Sequence, residues 1–324
     1  MILHYAMGGG LGHLTRAGAV WNTLKVNLSE ILLLTASLHA HEPYVPADVR
    51  VLQVEARMQE KENKEEYENL LKKILLENDI SAIYLDAFPL GIIKEWRFLG
   101  NFLKENKLSI KVYYLARLLN DNYFDDNYFN DNFEDIENSS NQNFENICYE
   151  TVFLLENLTS KNITYIQKNA KNTENLTLHY PKIVKNKLNT DFFGNLPENL
   201  SEKYWLIVHS EPLKEVEMLL DFAMQIAQKE RLKPFFLVIC TLDISEKMKN
   251  FNDKNNKNVL WTNYYPASDL FEKAEKIFSA AGFNIMQQIL PYHRKHYLVP
   301  FQRKLDLQEV RAKQYFSMYD TRLP

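Results

Sequence analysis

The sequence predicts an α/β protein built from two Rossmann-like parallel sheets, one in each half of the chain. Short apolar segments of strand composition alternate with amphipathic helical segments along most of its length, the pattern of helix-flanked parallel sheets. In each half, one strand runs into a glycine turn and then a helix: Met1–Ala6 into Met7–Gly12, and Ile277–Ala281 into Gly282. A chain of 324 residues, 46% hydrophobic and 25% charged, also has the volume for two ordinary cores.

Composition excludes several classes. A net charge of −4 gives no basic face for non-specific nucleic-acid binding. Cys148 and Cys240 make neither a disulfide framework nor a metal-site spacing. No apolar run reaches the roughly 18–20 residues of a membrane span, and no basic, apolar, cleavable leader opens the chain. The expected setting is the reducing cytoplasm, free or at the inner face of the membrane.

The first strand, Met1–Ala6, leads through MGGGLG into a helix opening at His13, with Leu14, Ala17, Val20, Trp21 and Leu24 on one face. His13 stands where a dinucleotide fingerprint needs its third glycine, and no Lys-Ser/Thr follows for a P-loop. A histidine near a helix N-terminus is disfavoured as imidazolium, so its ring can take a proton from a hydroxyl; alternatively it only caps the helix. Ile31–Ala36 is the next strand. The His39-x-His41 pair after it lacks a third metal ligand, so no metal site is predicted. Val51–Val54 is extended, and Lys61–Asn78 is a helix with Tyr67, Leu70, Leu71, Ile74 and Leu75 inward. Ile80–Ala87 is a buried strand that ends at Asp86, where open α/β sheets place ligands; the other reading is a cap on the next helix or turn. A helix carrying Glu95 is expected next. Ile110–Leu115 is a strand, with Arg117 at the same sheet edge.

From 120 to 146 the composition turns to Asn, Asp, Phe and Tyr, an insertion whose aromatic residues form a lid or pack as ordinary helix faces. Ile147–Leu155 is helical or strand-like, and 186–202 reads as the linker. The domains are thus expected at 1–188 and 200–324. In the second, Tyr204–His209, Pro234–Cys240 and Val259–Trp261 are strands and Glu215–Glu230 an amphipathic helix. YYPASDLFEKAEK is expected to hold a helix. The strand Ile277–Ala281, Gly282, a helix over Phe283–Leu290, the strand His296–Val299, a polar loop and a helix near Leu307 complete the chain.

This last stretch resembles the nucleotide-sugar half of glycosyltransferases with the two-Rossmann B-type (GT-B) fold, nearest the MurG-like group. The residues that carry the resemblance are Ser279, Gly282, Val299-Pro300-Phe301, Gln308 and Arg311-Ala312. Gly9-Gly10-Leu11-Gly12-His13 and Asp86-x-Phe88-Pro89-x-Gly91-x-x-x-Glu95 are similar to the group's acceptor-side segments. The resemblance implies two domains facing a central cleft and transfer of a sugar from a nucleoside-diphosphate sugar, UDP-linked first, to an unidentified glycan, lipid or small-molecule acceptor. It implies no cofactor beyond this co-substrate.

His13 and Asp86 are then the catalytic candidates, with Gly9, Gly10, Gly12 and Arg117 lining the acceptor side, Arg117 either on an acceptor phosphate, as the resemblance implies, or paired with Asp86. His209, Ser210, Ala281, Gly282, Phe283, Asn284, Gln288, Asp306 and Gln308 are the donor-binding candidates, the amides after Ala281 on the diphosphate and Asp306 and Gln308 on sugar hydroxyls. Tyr264 or Tyr265 would stack on the base. Arg303, Lys304 and Arg294-Lys295 are phosphate contacts or surface charge. The sequence departs from the group at Gln288, where a Glu is usual. An amide has one accepting oxygen for two ribose hydroxyls, which costs about 1–2 kcal/mol, roughly tenfold in affinity. A silent scaffold that binds a sugar nucleotide or a partner protein stays open, as does a sugar-nucleotide epimerase.

Overall fold

The computed structural model describes residues 1–125, 147–181, 203–255 and 258–319. Two compact units organise them, one of residues 1–180 with 304–307, the other of 181–303 with 308–324. The first unit thus takes in the short segment 304–307 from near the C-terminus. The linker expected at 186–202, and 126–146 of the Asn-rich stretch, lie outside the described residues.

The first unit holds β1 (Ile2–Tyr5), α1 (Leu11–Leu24), β2 (Ile31–Thr35), β3 (Arg50–Gln53), α2 (Lys64–Glu77), β4 (Ala82–Asp86), α3 (Leu99–Glu105), β5 (Lys111–Ala116), β6 (Thr151–Leu154), α4 (Ser160–Asn169) and β7 (Thr173–Asn175). Its sheet runs β3-β2-β1-β4-β5-β6-β7, every neighbour parallel. β2 is ILLLT and buried at every residue, as a strand covered on both faces must be. α2 turns Tyr67, Leu71, Ile74 and Leu75 onto the core, about 1.5–3 kcal/mol for each apolar side chain buried.

The second unit holds β8 (Tyr204–Val208), α5 (Leu213–Glu230), β9 (Phe236–Ile239), α6 (Leu242–Asn255), β10 (Val259–Thr262), β11 (Ala274–Ala280), α7 (Phe283–Ile289), β12 (His296–Val299) and α8 (Gln308–Met318). Its sheet is β10-β9-β8-β11-β12, again all parallel. α5 buries Val216, Leu219, Leu220, Ala223 and Ala227 against it.

In both sheets the winding reverses beside the first strand, between β1 and β4 in one and between β8 and β11 in the other. Open α/β sheets bind ligands beyond the carboxyl ends of strands at such a switch point. The Gly8–His13 turn follows β1 and Asp86 ends β4. His209 follows β8 and the Ala281–Gly282 turn follows β11.

Local structure departs from expectation at several points. No helix follows Asp86: residues 87–98 form irregular turns with positive φ at Ala87 (67°), Gly91 (88°) and Lys94 (62°). The buried Glu95 carboxylate folds back there, accepting from the Tyr5 hydroxyl and, at 3.0 Å, from the Ile93 N–H. A Cβ on Gly91 would sit 2.3 Å from that carboxylate, so side chain and glycine together exclude a helix. The expected helix in YYPASDLFEKAEK is one 3₁₀ turn, Ala267–Leu270, because β11 begins at Ala274 and consumes the rest. Ile147–Leu155 resolves to the strand β6, and α3, α4, β7 and α6 had no counterpart in the expectations. At the start of the Asn-rich stretch, Tyr123 is a core residue: its hydroxyl donates to Gly91 O (2.8 Å) and accepts from Leu90 N–H (3.1 Å).

Candidate functional site

In the first unit, His13 and Asp86 meet. α1 is capped by Gly10 with no side-chain bond, and His13 lies in its first turn. Its ring caps nothing: Nδ1 lies 2.7 Å from Asp86 Oδ2. Arg16, one turn further along α1, closes on the same carboxylate, Nη2 donating to Oδ2 at 2.6 Å and Nε to Oδ1. Asp86 and Arg16 are fully buried, whereas the His13 side chain keeps 17% of its surface. Phe88 stacks along the imidazole at 6.1 Å and 28°.

Burial alone would raise the Asp86 carboxyl, but the Arg16 guanidinium and the His13 contact outweigh it and hold it far below the usual range. Burial lowers His13, and with the positive fields of Arg16 and Arg117 it outweighs the raising effect of Asp86. The ring is therefore neutral near pH 7. An ionised carboxylate only accepts, so the proton sits on Nδ1 and Nε2 carries the lone pair. Nε2 has no hydrogen-bond partner among the described residues. This is the geometry of a general base oriented by an acid.

Gly8 allows it. Its φ is +146°, and a Cβ there would lie 2.4 Å from His13 Cδ2 and 2.5 Å from Nε2. Gly9, by contrast, has open space beside it, and Gly10 and Gly12 lie at the N-cap and in the first turn of α1. Arg117 does not pair with Asp86. Its Nη2 donates to Asp306 Oδ1 at 2.7 Å, and its Nε lies 3.7 Å from Glu156. Asp306 belongs with the first unit, as Leu305 O accepts from Asn120 N–H and Leu119 bridges to Asp306. The acid expected on the donor sugar is thus the partner of Arg117.

In the second unit, β8 and β11 pair with Val208 beside Ser279, which brings the His209–Ser210 turn next to Ala281–Gly282. Gly282 caps α7 with φ −68° and ψ 148°, ordinary extended backbone, and no side-chain cap. Among the described residues, a Cβ at this position would meet only Ile285, at 3.8 Å. Nothing among the described residues of the unit requires a glycine here. Ala281 and Phe283 are buried, and Arg311 Nη1 donates to Ala281 O at 2.8 Å, fixing the peptide that precedes the turn. Behind it, Ser279 Oγ and His296 Nε2 are 2.8 Å apart, and His296 Nδ1 is 3.2 Å from the Tyr315 hydroxyl.

Of the remaining donor-side candidates, His209 Nε2 lies 2.8 Å from Glu215 Oε2, and Arg303 grips the same carboxylate with both Nη atoms. Burial lowers His209 despite that carboxylate, so the neutral ring donates to it. Arg303 is thus an ion-pair partner of Glu215. Gln308 is buried and its Oε1 accepts from Phe301 N–H at 3.1 Å, which makes it a brace for the loop after β12. Gln288 Nε2 donates back to Asn284 O at 3.3 Å.

Among the described residues, no three His, Cys, Asp or Glu side chains gather to hold a metal ion, and no helix is long and apolar enough to cross a membrane. Two residues of this arrangement, Arg16 and Gly8, escaped the sequence reading. The available signal was the i, i+3 spacing of His13 and Arg16 on one helix face.

No protein-family model matches the chain, and no curated protein sequence matches it. Solved structures do. A glycotransferase of kitacinnamycin is similar over 100% of this chain and 85% of its own, at TM-score 0.57 and 10% identity. UGT2 of Phytolacca americana, solved with UDP-2-fluoroglucose and pterostilbene, is similar over 98% and 83%, at TM-score 0.54 and 11% identity. The UDP-GlcNAc 2-epimerase of Neisseria meningitidis, bound to UDP-GlcNAc, is similar over 96% and 85%, at TM-score 0.53 and 12% identity. The two-Rossmann GT-B fold implied by the sequence resemblance is the fold of this chain.

Proposed function

We propose that this chain is a glycosyltransferase that moves a sugar from a nucleoside-diphosphate sugar, UDP-linked first, to an acceptor hydroxyl. The observation that carries the reading is the His13–Asp86 pair, with Nδ1 committed to the carboxylate and Nε2 left to accept. The structures alike in fold that hold UDP-sugars support the choice of donor.

His13 takes the acceptor proton. Because burial keeps its ring weakly basic, it does so after the acceptor oxygen has begun to bond to the anomeric carbon, when the attached proton is far more acidic. Asp86 holds the ring in one tautomer and stabilises the imidazolium as it forms, as the acid of a catalytic triad does. In the second unit, the Ala281-Gly282-Phe283-Asn284 turn and the neighbouring His209–Ser210 turn receive the diphosphate. Amides fixed there meet negative charge that grows as the glycosidic bond breaks, so they favour the transition state over the ground state.

The test is release of nucleoside diphosphate from a panel of UDP-, TDP-, GDP- and CDP-sugars, with mixed acceptors, by wild type and His13→Gln. The expected result is release from at least one donor, reduced by about 10²–10⁴-fold in the variant. Equal release by both would remove His13 from the chemistry. A donor that binds without release would favour the silent scaffold.

A further inference from the structure

An arginine with 1% of its side chain exposed, inside the apolar stripe of α1, needs a reason. Burying a charge costs several kcal/mol unless it is paired. Arg16 is paired with both oxygens of Asp86, and one of these, Oδ2, is also the partner of His13. Arg16 Nη2 and His13 Nδ1 stand 3.1 Å apart because both are donors converging on that oxygen.

The charge count follows. A lone His–Asp pair carries −1 at rest and becomes neutral when the ring takes a proton. With Arg16 added, the three side chains are neutral at rest and carry +1 after the proton arrives. The other charged or titratable groups around the ring do not restore the balance. Arg117, at the end of β5, adds a positive field, offset by its own partners Asp306 and Glu156. His4, on β1, is buried and neutral, its Nδ1 accepting from Trp21 Nε1 at 3.0 Å.

We propose that Arg16 is a positioning residue for the His13 base: it claims one oxygen of Asp86 and shares the other, which holds Nδ1 as the donor and leaves the three side chains without net charge. His13 thereby rests unprotonated at neutral pH, with Nε2 ready, and Asp86 does not draw it into a stable ion pair. The effect on turnover rests on the reading of His13 as the acceptor-side base. The effect on the ring does not, and can be measured with no substrate.

The experiment is a ¹⁵N-resolved NMR titration of His13 in the full chain, in wild type, R16Q and R16K. Wild type is expected to show the Nδ1–H tautomer and to titrate below 6.5, the ordinary value. In R16Q the midpoint rises by about one pH unit or more, because the Asp86 charge is no longer offset. R16K, which keeps the charge, stays close to wild type. An Nε2–H tautomer in wild type, or a folded R16Q whose ring titrates no higher than wild type, overturns the proposal. If R16Q does not fold, the wild-type tautomer and midpoint still decide. In a turnover assay the acid limb of the rate profile moves up with R16Q. Absence of turnover in every protein counts against the transferase reading and leaves the titration result intact.

Discussion

Replacing Asp86 by Asn keeps the shape of the side chain and removes its charge. Three donors now converge on the carboxylate: Arg16 Nε, Arg16 Nη2 and His13 Nδ1. The amide retains one accepting oxygen and turns an NH₂ toward a donor, so at least one donor loses its partner. Arg16, 1% exposed, is left without its counter-charge. Breaking a buried pair from one side costs about 3–5 kcal/mol, a large part of the stability of a typical domain. With an m-value of about 2–3 kcal/mol/M, the urea midpoint of the first unit should fall by about 1–2 M. Removing both charges in D86N/R16Q should recover part of the loss, a coupling of about 2 kcal/mol in the double-mutant cycle. The pH dependence gives a second reading. The folded carboxyl is held below its unfolded value, so its contribution is present above about pH 4 and is lost as the pH falls further. D86N should lack that component. A D86N protein within about 0.5 kcal/mol of wild type, with the same acid limb, would refute the charge-pair argument.

Gly8→Ala forces a Cβ into the imidazole ring at a backbone φ that L-residues rarely adopt, and should reduce sugar transfer at least tenfold while leaving diphosphate binding intact. Turnover and calorimetry on one preparation check both halves. Glu95 is raised from 4.5 to about 7 because burial outweighs the Tyr5 hydroxyl and backbone donors. A raised carboxyl contributes stability below its unfolded value that is lost as the pH climbs to about 7. The stability of wild type relative to Glu95→Gln should therefore fall by about 3 kcal/mol between pH 4.5 and 8, read from urea midpoints. Gln288→Glu restores a two-oxygen acceptor and should tighten binding of a ribose-containing diphosphate by roughly tenfold, measured calorimetrically; unchanged affinity would place the ribose elsewhere.

Most of the fold was legible because parallel strands buried on both faces write themselves as short apolar runs. β2, β4, β8, β9 and β12 all lie within a residue or two of where composition put them. Elements that escaped carry weaker local signals. α6 is polar along much of its sequence, LDISEKMKNFNDKN, and β7 is three exposed residues, Thr-Glu-Asn, added at a sheet edge. The segment after Asp86 misled for a different reason. IIKEW reads locally as helix, but Glu95 is spent on the Tyr5 hydroxyl of a strand 90 residues earlier, a tertiary bond that no window of sequence contains. The same limit applied to the site. His13 and Asp86 were visible singly, as a residue after a glycine turn and a residue at a strand end. Their union through a third, buried residue depends on β1 and β4 being neighbours. Of the two readings open for Arg117, pairing with Asp86 fails because its partner Asp306 returns from near the C-terminus.

The account is tested most directly by thermal unfolding of the full chain with uridine, thymidine, guanosine and cytidine diphosphates, in wild type, Gly282→Val and His13→Gln. It predicts that at least one diphosphate raises the melting temperature of wild type and of His13→Gln, and that Gly282→Val abolishes the rise although its own fold is unharmed. A rise that survives Gly282→Val, or wild type indifferent to all four diphosphates, would contradict it.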